Sequence, residues 1–440
     1  MRQTVKSGRT LLLDGPASIK ILSGKASVLG AKINAGDRIL VRSGKRMPFF
    51  FSKESEVELF LGESATFTEV EGDTIPQSWK DAASSLVKDF QAKRTLLVMG
   101  GVDSGKTSLC TYLANIAFNE GCKVAIIDGD LGQSDIGPPT TLGFSLLEKY
   151  ITDPFETRPY HMIFVGATSP GRAQERVIQA LETLNRKAAE AGATFIVINT
   201  DGWIHGEAAL EYKFQLVKAV SPETIIGIEE NKELEPILSR IEESKIIKVK
   251  PPNTIKKRSR EVRKALREMA YKRYLKNAKV RLYNLNWTKI IGSLTLSSLD
   301  FRRPLDLEKL KAIKDVLGFS PYYYCETQDR ITIFIDKTKC LTEETLRRLK
   351  STFKKQVVPM IRGTENGILV GLKDSKGDLL GIGVLCCVDP KRKVAKVYTP
   401  VNEAVTSIHL GEVRLTVNGK EIEYPVTLNF LEEQQRDINP

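Results

Sequence analysis

The segment GGVDSGKT at residues 100–107 constrains the fold more than any other part of the chain. It fits the pattern GxxxxGK[ST], directly after the apolar stretch RTLLVMG and directly before the helical pattern TSLCTYLANIAFNEG. Its glycines let successive backbone N–H groups and a helix N-terminus face phosphate oxygens. We therefore predict a nucleoside triphosphate site with Lys106 at the β- and γ-phosphates and Thr107 on Mg²⁺. The predicted nucleotide-binding residues are Gly100, Gly101, Val102, Asp103, Ser104, Gly105, Lys106, Thr107 and Ser108.

Apolar strands and helical patterns alternate on both sides of this motif, which predicts parallel βαβ units. We expect a central α/β domain, a doubly wound parallel sheet, over residues 94–280. Short β segments between turns predict a small all-β domain over 1–75, followed by a connecting helix and linker over 76–93 with Ser78 as its N-cap. Two helices (307–317 and 342–356) and a β meander, with a hairpin turn at Asn418-Gly419, predict an α+β, β-rich domain over 281–440.

Composition excludes several classes of protein. The longest apolar stretch has only about ten residues, too few to span a membrane, and the N-terminus lacks the apolar core of a secretory signal. The six cysteines form no CxxC pair and the chain has three histidines, which argues against a disulfide framework, a zinc site or a hydrolase triad. We expect a cytoplasmic protein with no membrane partner.

Basic charge is concentrated in one segment. The chain carries a net charge of +12, and residues 256–276 contain ten Lys or Arg and two Glu. We predict a basic helix with an apolar stripe of Val262, Leu266 and Met269. The segment is either a solvated helix face or a lid that closes over phosphates.

Two carboxylates follow the next predicted strand, in the sequence DGDLGQ at residues 128–133. Asp128 and Asp130 are two residues apart, and we expect them to do different jobs. We predict that one orders the Mg²⁺ shell and that the other accepts a proton from an acceptor hydroxyl. The alternative is a single functional Asp, with the second acid capping a turn.

Two further polar loops follow predicted strands and should lie at the same edge of the sheet. The sequence TSPGR at 168–172 suits a phosphodiester, and NTDGW at 199–203 contains Trp203, which could stack on a base or simply pack between domains.

Together, GGVDSGKTS, DGDLGQ, TSPGR, NTDGW and RSREVRKALR resemble the polynucleotide 5′-hydroxyl kinase family. This family includes RNA kinases of pre-mRNA 3′-end formation, tRNA splicing and pre-rRNA processing, and the chain looks like an archaeal member. The resemblance is strong over 94–275. It implies an ATP- and Mg²⁺-dependent enzyme that phosphorylates the 5′-hydroxyl end of RNA, with DNA left open as an acceptor.

The resemblance also implies a role for each matching residue. Lys106 and Thr107 form the Walker A pair, Asp128 orders the metal shell, and Asp130 is the base. Arg263 and Arg267 are lid residues in the catalytic set. The residues implied in substrate binding are Gln133, Thr168, Ser169, Pro170, Gly171, Trp203 and Arg258.

Two other interpretations remain open at this point. The chain could be a catalytically silent, ATP-bound assembly factor whose terminal domains bind RNA-processing proteins. It could also be a partitioning-type P-loop ATPase, although that class usually has a second lysine early in the P-loop, where this chain has GGVDSGKT.

Overall fold

A computed structural model of the protein describes residues 1–87, 94–292, 306–339 and 341–423. The end of the predicted linker, Cys340 and the last residues of the predicted C-terminal domain lie outside this part of the chain. The chain divides into two compact units, Met1–Ala270 and Tyr271–Pro440. The finer division into three domains stays a prediction. None of the helices in the described ranges is long and apolar enough to cross a membrane.

The N-terminal region consists of nine strands, as its short alternating segments predict. Met47, Phe49 and Phe51 are buried at every second position of one strand, which is the period of a half-buried sheet. The strands are β1 (Arg2–Val5), β2 (Arg9–Asp14), β3 (Ala17–Ile21), β4 (Lys25–Val28), β5 (Ala31–Asn34), β6 (Arg38–Val41), β7 (Arg46–Phe51), β8 (Ser55–Leu61) and β9 (Thr66–Glu71). They form a four-stranded sheet, β1-β8-β3-β6, and a five-stranded sheet, β5-β4-β7-β2-β9.

The central region is the predicted α/β fold. Its elements are α1 (Gln77–Val87), β10 (Arg94–Gly100), α2 (Lys106–Asn119), β11 (Val124–Gly129), β12 (Thr141–Leu146), a 3₁₀ turn (Pro154–Glu156), β13 (His161–Phe164), α3 (Gln174–Glu190), β14 (Phe195–Thr200), α4 (Glu207–Val220), β15 (Thr224–Ile228), α5 (Glu235–Leu238), β16 (Lys245–Val249) and α6 (Arg260–Tyr274). Ser78 lies inside α1 rather than capping it, and its hydroxyl accepts a hydrogen bond from the Lys250 N–H.

The seven-stranded sheet has the order β13-β12-β11-β14-β10-β15-β16. The five strands from β11 to β16 are parallel, but β12 and β13 run antiparallel at one edge, so the sheet is mixed rather than wholly parallel. Alternate residues of β10 enter different cores. Leu96 and Val98 join a core that includes the N-terminal strands, α1 and α2, whereas Leu97 and Met99 join a core with α3 and α4. The N-terminal strands therefore pack on one face of the central sheet.

Over its described residues, the second unit is β-rich with two helices after α6, as predicted. Its elements are β17 (Lys279–Asn284), β18 (Lys289–Ile291), α7 (Leu307–Leu317), β19 (Tyr323–Glu326), β20 (Arg330–Ile335), α8 (Glu343–Phe353), β21 (Gln356–Ile361), β22 (Ile368–Lys373), β23 (Leu379–Asp389), β24 (Val394–Thr399) and β25 (Ser407–Arg414). A six-stranded sheet has the order β17-β24-β23-β22-β25-β18, and a three-stranded sheet, β19-β20-β21, packs with α7 and α8. Asn418-Gly419 forms a turn, which among the described residues is closed by one β-bridge, Leu415 to Glu421.

Candidate active site

The predicted phosphate-binding loop connects β10 to α2. Gly105 precedes α2 with φ 97°, a left-handed conformation that favours glycine. A side chain at Gly105 would also crowd Ile255, since a Cβ there would lie 3.3 Å from Ile255 Cδ1. Asp103 has φ 55°, a conformation that Asp tolerates better than most residues. The loop is thus bent by two left-handed residues directly before the helix N-terminus.

Lys106 is the first residue of α2, and its side chain is buried. Its ammonium donates hydrogen bonds to the carbonyl oxygens of Gly100 and Gly101, at 3.0 and 2.6 Å. Burial lowers the pKa of Lys106, and the nearby Asp130 carboxylate opposes that effect. The sequence therefore places a lysine charge inside the loop that would surround a phosphate.

Asp128 and Asn199 lie side by side at the ends of two adjacent parallel strands, β11 and β14. The Asn199 amide donates to Asp128 Oδ1 at 3.1 Å and reaches Thr107 Oγ1 at 3.4 Å. Asn199 Oδ1 is buried and accepts no hydrogen bond from any described residue. Burial, followed by the charges of Asp135 and Asp130, raises the pKa of Asp128 to about 7. A cation held here would favour the ionised form.

Asp130 has different surroundings from Asp128. Its Oδ1 accepts hydrogen bonds from the N–H groups of Gly132 and Gln133, both at 3.0 Å. Burial raises its pKa, while the charge of Lys106 lowers it. The two carboxylates therefore occupy distinct environments, although Asp130 also caps the turn that the alternative interpretation expects. Their division of labour stays a prediction.

The basic segment meets the phosphate-binding loop at Asp103. The Arg258 N–H donates to Asp103 Oδ2 at 2.9 Å, and Arg263 Nη1 lies 3.3 Å from the same oxygen. Gln133 joins the other loop to this segment, since its Oε1 accepts from Arg258 Nη1 at 3.2 Å and its Nε2 donates to the Arg263 carbonyl at 3.3 Å. Arg267 lies one turn further along α6 and is half-buried.

The helix in this segment begins later than predicted. It starts at Arg260 because the Ser259 hydroxyl accepts from the Val262 N–H, in the manner of an N-cap. Arg258 therefore precedes the helix. The predicted apolar stripe is also divided, since Leu266 faces Gly44 of the N-terminal region while Val262 and Met269 are exposed.

The two remaining predicted loops lie near the same edge. The Thr168 carbonyl approaches Gly132, where a Cβ would lie 2.9 Å from that oxygen, so the 168–171 loop is next to the loop that follows β11. Trp203 is half-buried and stacks on Tyr212, with ring centroids 5.7 Å apart and an interplanar angle of 24°. Its role as a base platform stays a prediction.

The turn between β6 and β7 supplies charges that the sequence did not reveal as part of the site. Arg42 bonds to Asp153 and Asp135, and Lys45 lies 2.9 Å from Asp135. Burial alone would raise the pKa of Asp135, but the charges of Lys45 and Arg42 hold this pKa well below its usual range. The Asp135 N–H in turn donates to Asp128 Oδ2 at 2.5 Å. Distant sequence positions thus support the buried Asp128.

Comparisons with known proteins agree with this geometry. A family model described as the mRNA cleavage and polyadenylation factor CLP1 P-loop matches residues 100–277. A polyribonucleotide 5′-hydroxyl-kinase of Methanocaldococcus jannaschii is 31% identical over 346 residues, covering 77% of this chain and 92% of that protein. A polyribonucleotide 5′-hydroxyl-kinase of Pyrococcus furiosus is 28% identical over 346 residues, covering 78% and 94%.

A solved structure of wild-type Clp1p with a Pcf11p segment shares the fold. It covers 94% of this chain and 97% of that chain, with a TM-score of 0.63 and 12% sequence identity. This likeness shows a shared fold. The matches to the archaeal proteins over most of their length, one of them 31% identical, confirm the predicted resemblance, and the chain belongs to the polyribonucleotide 5′-hydroxyl-kinase family.

Proposed function

We propose that the protein is an ATP-dependent kinase that transfers the γ-phosphate of ATP to the 5′-hydroxyl end of RNA. The observation that carries this proposal is the convergence at Asp103 and Gln133. Through these two residues, arginines of the basic segment lie against both the phosphate-binding loop and the loop of the carboxylate pair. Phosphoryl transfer depends mainly on positioning and charge neutralisation, which such an arrangement supplies.

In this proposal the 5′-hydroxyl oxygen attacks the γ-phosphorus, and Asp130 accepts the proton of that hydroxyl. The bond between the γ-phosphorus and the oxygen of the β-phosphate breaks at the same time. Lys106, Arg263 and Arg267 neutralise the charge that develops on the phosphate oxygens. Gln133, Trp203, Arg258 and residues 168–171 hold the terminal nucleotide and the backbone of the RNA.

The residues present suit Mg²⁺, which prefers oxygen ligands. The Thr107 hydroxyl and the Asp128 carboxylate both lie within 3.4 Å of the Asn199 amide nitrogen, and the Oδ1 of the same amide is buried with no hydrogen-bond partner among the described residues. Thr107 would hold the ion, with Asp128 ordering its shell. The ion would neutralise charge on the ATP phosphates.

A second candidate is the assembly-factor role, with the terminal domains as protein-binding surfaces. The fold similarity to Clp1p, solved together with Pcf11p, is the observation that favours it. The partitioning-type ATPase gains no support from the proteins compared. RNA is the acceptor that the relatives' names support, and a DNA acceptor has no such support. We also propose a cytoplasmic location.

The test is transfer of label from γ-labelled ATP to a 5′-hydroxyl oligoribonucleotide. We expect label on the 5′ end, no label on the same oligonucleotide already 5′-phosphorylated, and weak labelling of a DNA oligonucleotide. Lys106→Ala should lower kcat by about 10²- to 10³-fold because a charge at the phosphates is lost. The control is Lys123→Ala, at an exposed lysine. ATP binding without transfer would favour the assembly-factor role, and full turnover by Lys106→Ala would refute the kinase.

A further inference from the structure

A fully buried lysine lies beneath the Trp203 loop. The side chain of Lys213, on α4, has no exposed surface, and its partner Asp201 is 8% exposed. The Lys213 ammonium lies 2.9 Å from Asp201 Oδ2 and donates to the Asp201 carbonyl at 3.2 Å. A buried charge is stable only when it is paired and hydrogen-bonded, so this pair fixes the start of the loop against α4.

Asp201 passes this constraint on to Trp203. Its Oδ1 accepts a hydrogen bond from the Trp203 N–H at 2.9 Å, closing a tight turn. Its Oδ2 also accepts from the Tyr212 hydroxyl at 2.8 Å. Tyr212 is buried, and its ring stacks on the Trp203 indole. One carboxylate thus holds the backbone of Trp203 and the ring on which its indole lies.

The same turn lies against the phosphate-binding loop. A Cβ on Gly202 would lie 2.8 Å from both the nitrogen and the Cα of Val102, so the two backbones are in close contact. On the other side, a Cβ on Gly101 would lie 3.6 Å from the Ile204 side chain. The position of Trp203 is therefore defined relative to the loop that would hold ATP.

We propose that Lys213 is a positioning residue that, through Asp201, holds the Trp203 indole on the Tyr212 ring. In this position the exposed face of the indole can stack on the terminal base of the RNA. This inference rests on the proposed function and deepens it. Base stacking on aromatic side chains contributes strongly to single-strand binding and tolerates any sequence. Loss of Lys213 should therefore weaken RNA binding more than it slows phosphate transfer.

The test compares Lys213→Met, Trp203→Ala and the double variant with the wild-type chain. Lys213→Met should raise the KM for a 5′-hydroxyl oligoribonucleotide about tenfold and lower kcat by much less. Lys218→Met, at an exposed lysine of the same helix, is the matched control. In the Trp203→Ala background, Lys213→Met should raise KM no further. An equal rise in both backgrounds would overturn the proposal, because Lys213 would then act independently of Trp203.

Tryptophan fluorescence gives a readout that does not depend on activity. In a Trp287→Phe background, emission comes from Trp203 and from Trp79, which is fully buried. Lys213→Met should shift the Trp203 emission to longer wavelength and reduce its quenching by oligoribonucleotide. Unchanged emission and quenching, with an unchanged KM, would overturn the proposal.

If Lys213→Met does not fold, Tyr212→Phe serves in its place, because it removes one hydrogen bond to Asp201 and keeps the stacked ring. It should raise KM in the same direction but less, and an unchanged KM would count against the proposal. Failure of the proposed function looks different, since the wild-type chain would then transfer no label. A wild-type chain that is active while these variants match it would overturn the positioning role alone.

Discussion

Replacing Asp14 by Asn tests a buried ion pair that joins the N-terminal strands to the segment before α6. Asp14 is 4% exposed and accepts two hydrogen bonds from Arg46, both at 2.8 Å. Thr66 Oγ1 donates at 2.9 Å and Lys256 Nζ at 3.2 Å. The substitution keeps the shape of the side chain but removes the charge that these donors surround.

The magnitude follows from the pKa of Asp14. Burial alone would raise it, but the hydrogen bonds from Arg46, Thr66 and Lys256 lower it from 3.8 to about 2. A shift of this size corresponds to about 2 kcal/mol of folding stability. Because the pKa is lowered on folding, this stability is present above the unfolded pKa of 3.8 and is lost as the pH falls through about 2. Asp14→Asn should therefore cost about 2 kcal/mol at pH 7 and progressively less below pH 4.

The assay is urea unfolding of both chains from pH 7 down to the lowest pH at which the wild type still folds. A Trp287→Phe background restricts the tryptophan signal to Trp79 and Trp203, which both lie in the first unit. Asp37→Asn, at an exposed aspartate in the turn between β5 and β6, is the control and should change stability by less than about 0.5 kcal/mol. A stability difference for Asp14→Asn that stays constant from pH 7 to below 4 would refute the electrostatic reasoning.

Two further predictions concern the reaction. Asp130→Asn should keep ATP binding but slow transfer by about 10²- to 10⁴-fold, because the base is lost. Asp128→Asn should instead raise the Mg²⁺ concentration that the reaction requires. Identical behaviour of the two variants in a metal titration would contradict their separate roles. Arg263→Lys should lower kcat at saturating RNA, since lysine cannot replace the planar fork of arginine, while Lys264→Ala should mainly weaken RNA binding and reduce its salt dependence by about one phosphate. An unchanged kcat in both would contradict the lid.

The phosphate-binding loop could be predicted from sequence because its chemistry is local. The glycines and Lys106 lie within a few residues of one another, between a strand and a helix, and the backbone itself supplies the ligands. The alternation of strands and helices predicted the central sheet for the same reason. The antiparallel edge of this sheet was not predicted, because β12 is a short apolar stretch whose direction depends on how it pairs with the neighbouring strand.

Residues that act through distant contacts could not be found in this way. Asn199 matters because the parallel register places it opposite Asp128, and the strand order that brings them together is a tertiary property. Arg42 pairs with Asp135, 93 residues away in sequence. Asp103 lies inside the motif, yet its role toward Arg258 depends on where the basic segment folds. From sequence alone, a basic segment indicates that acidic groups will neutralise its charge, but not which groups these are.

The contacts before α6 connect the N-terminal strands to the phosphate-binding loop. The Thr254 carbonyl accepts from Arg46, Lys256 lies against Asp14, and the next-but-one residue, Arg258, bonds to Asp103 of the phosphate-binding loop. Alternate residues of one short segment are therefore tied first to the N-terminal strands and then to the nucleotide loop. Because only Lys257 separates the last two ties, we expect a change that frees Lys256 to loosen Arg258 as well. The stability of the N-terminal strands and the placement of the arginines of the basic segment should then be coupled.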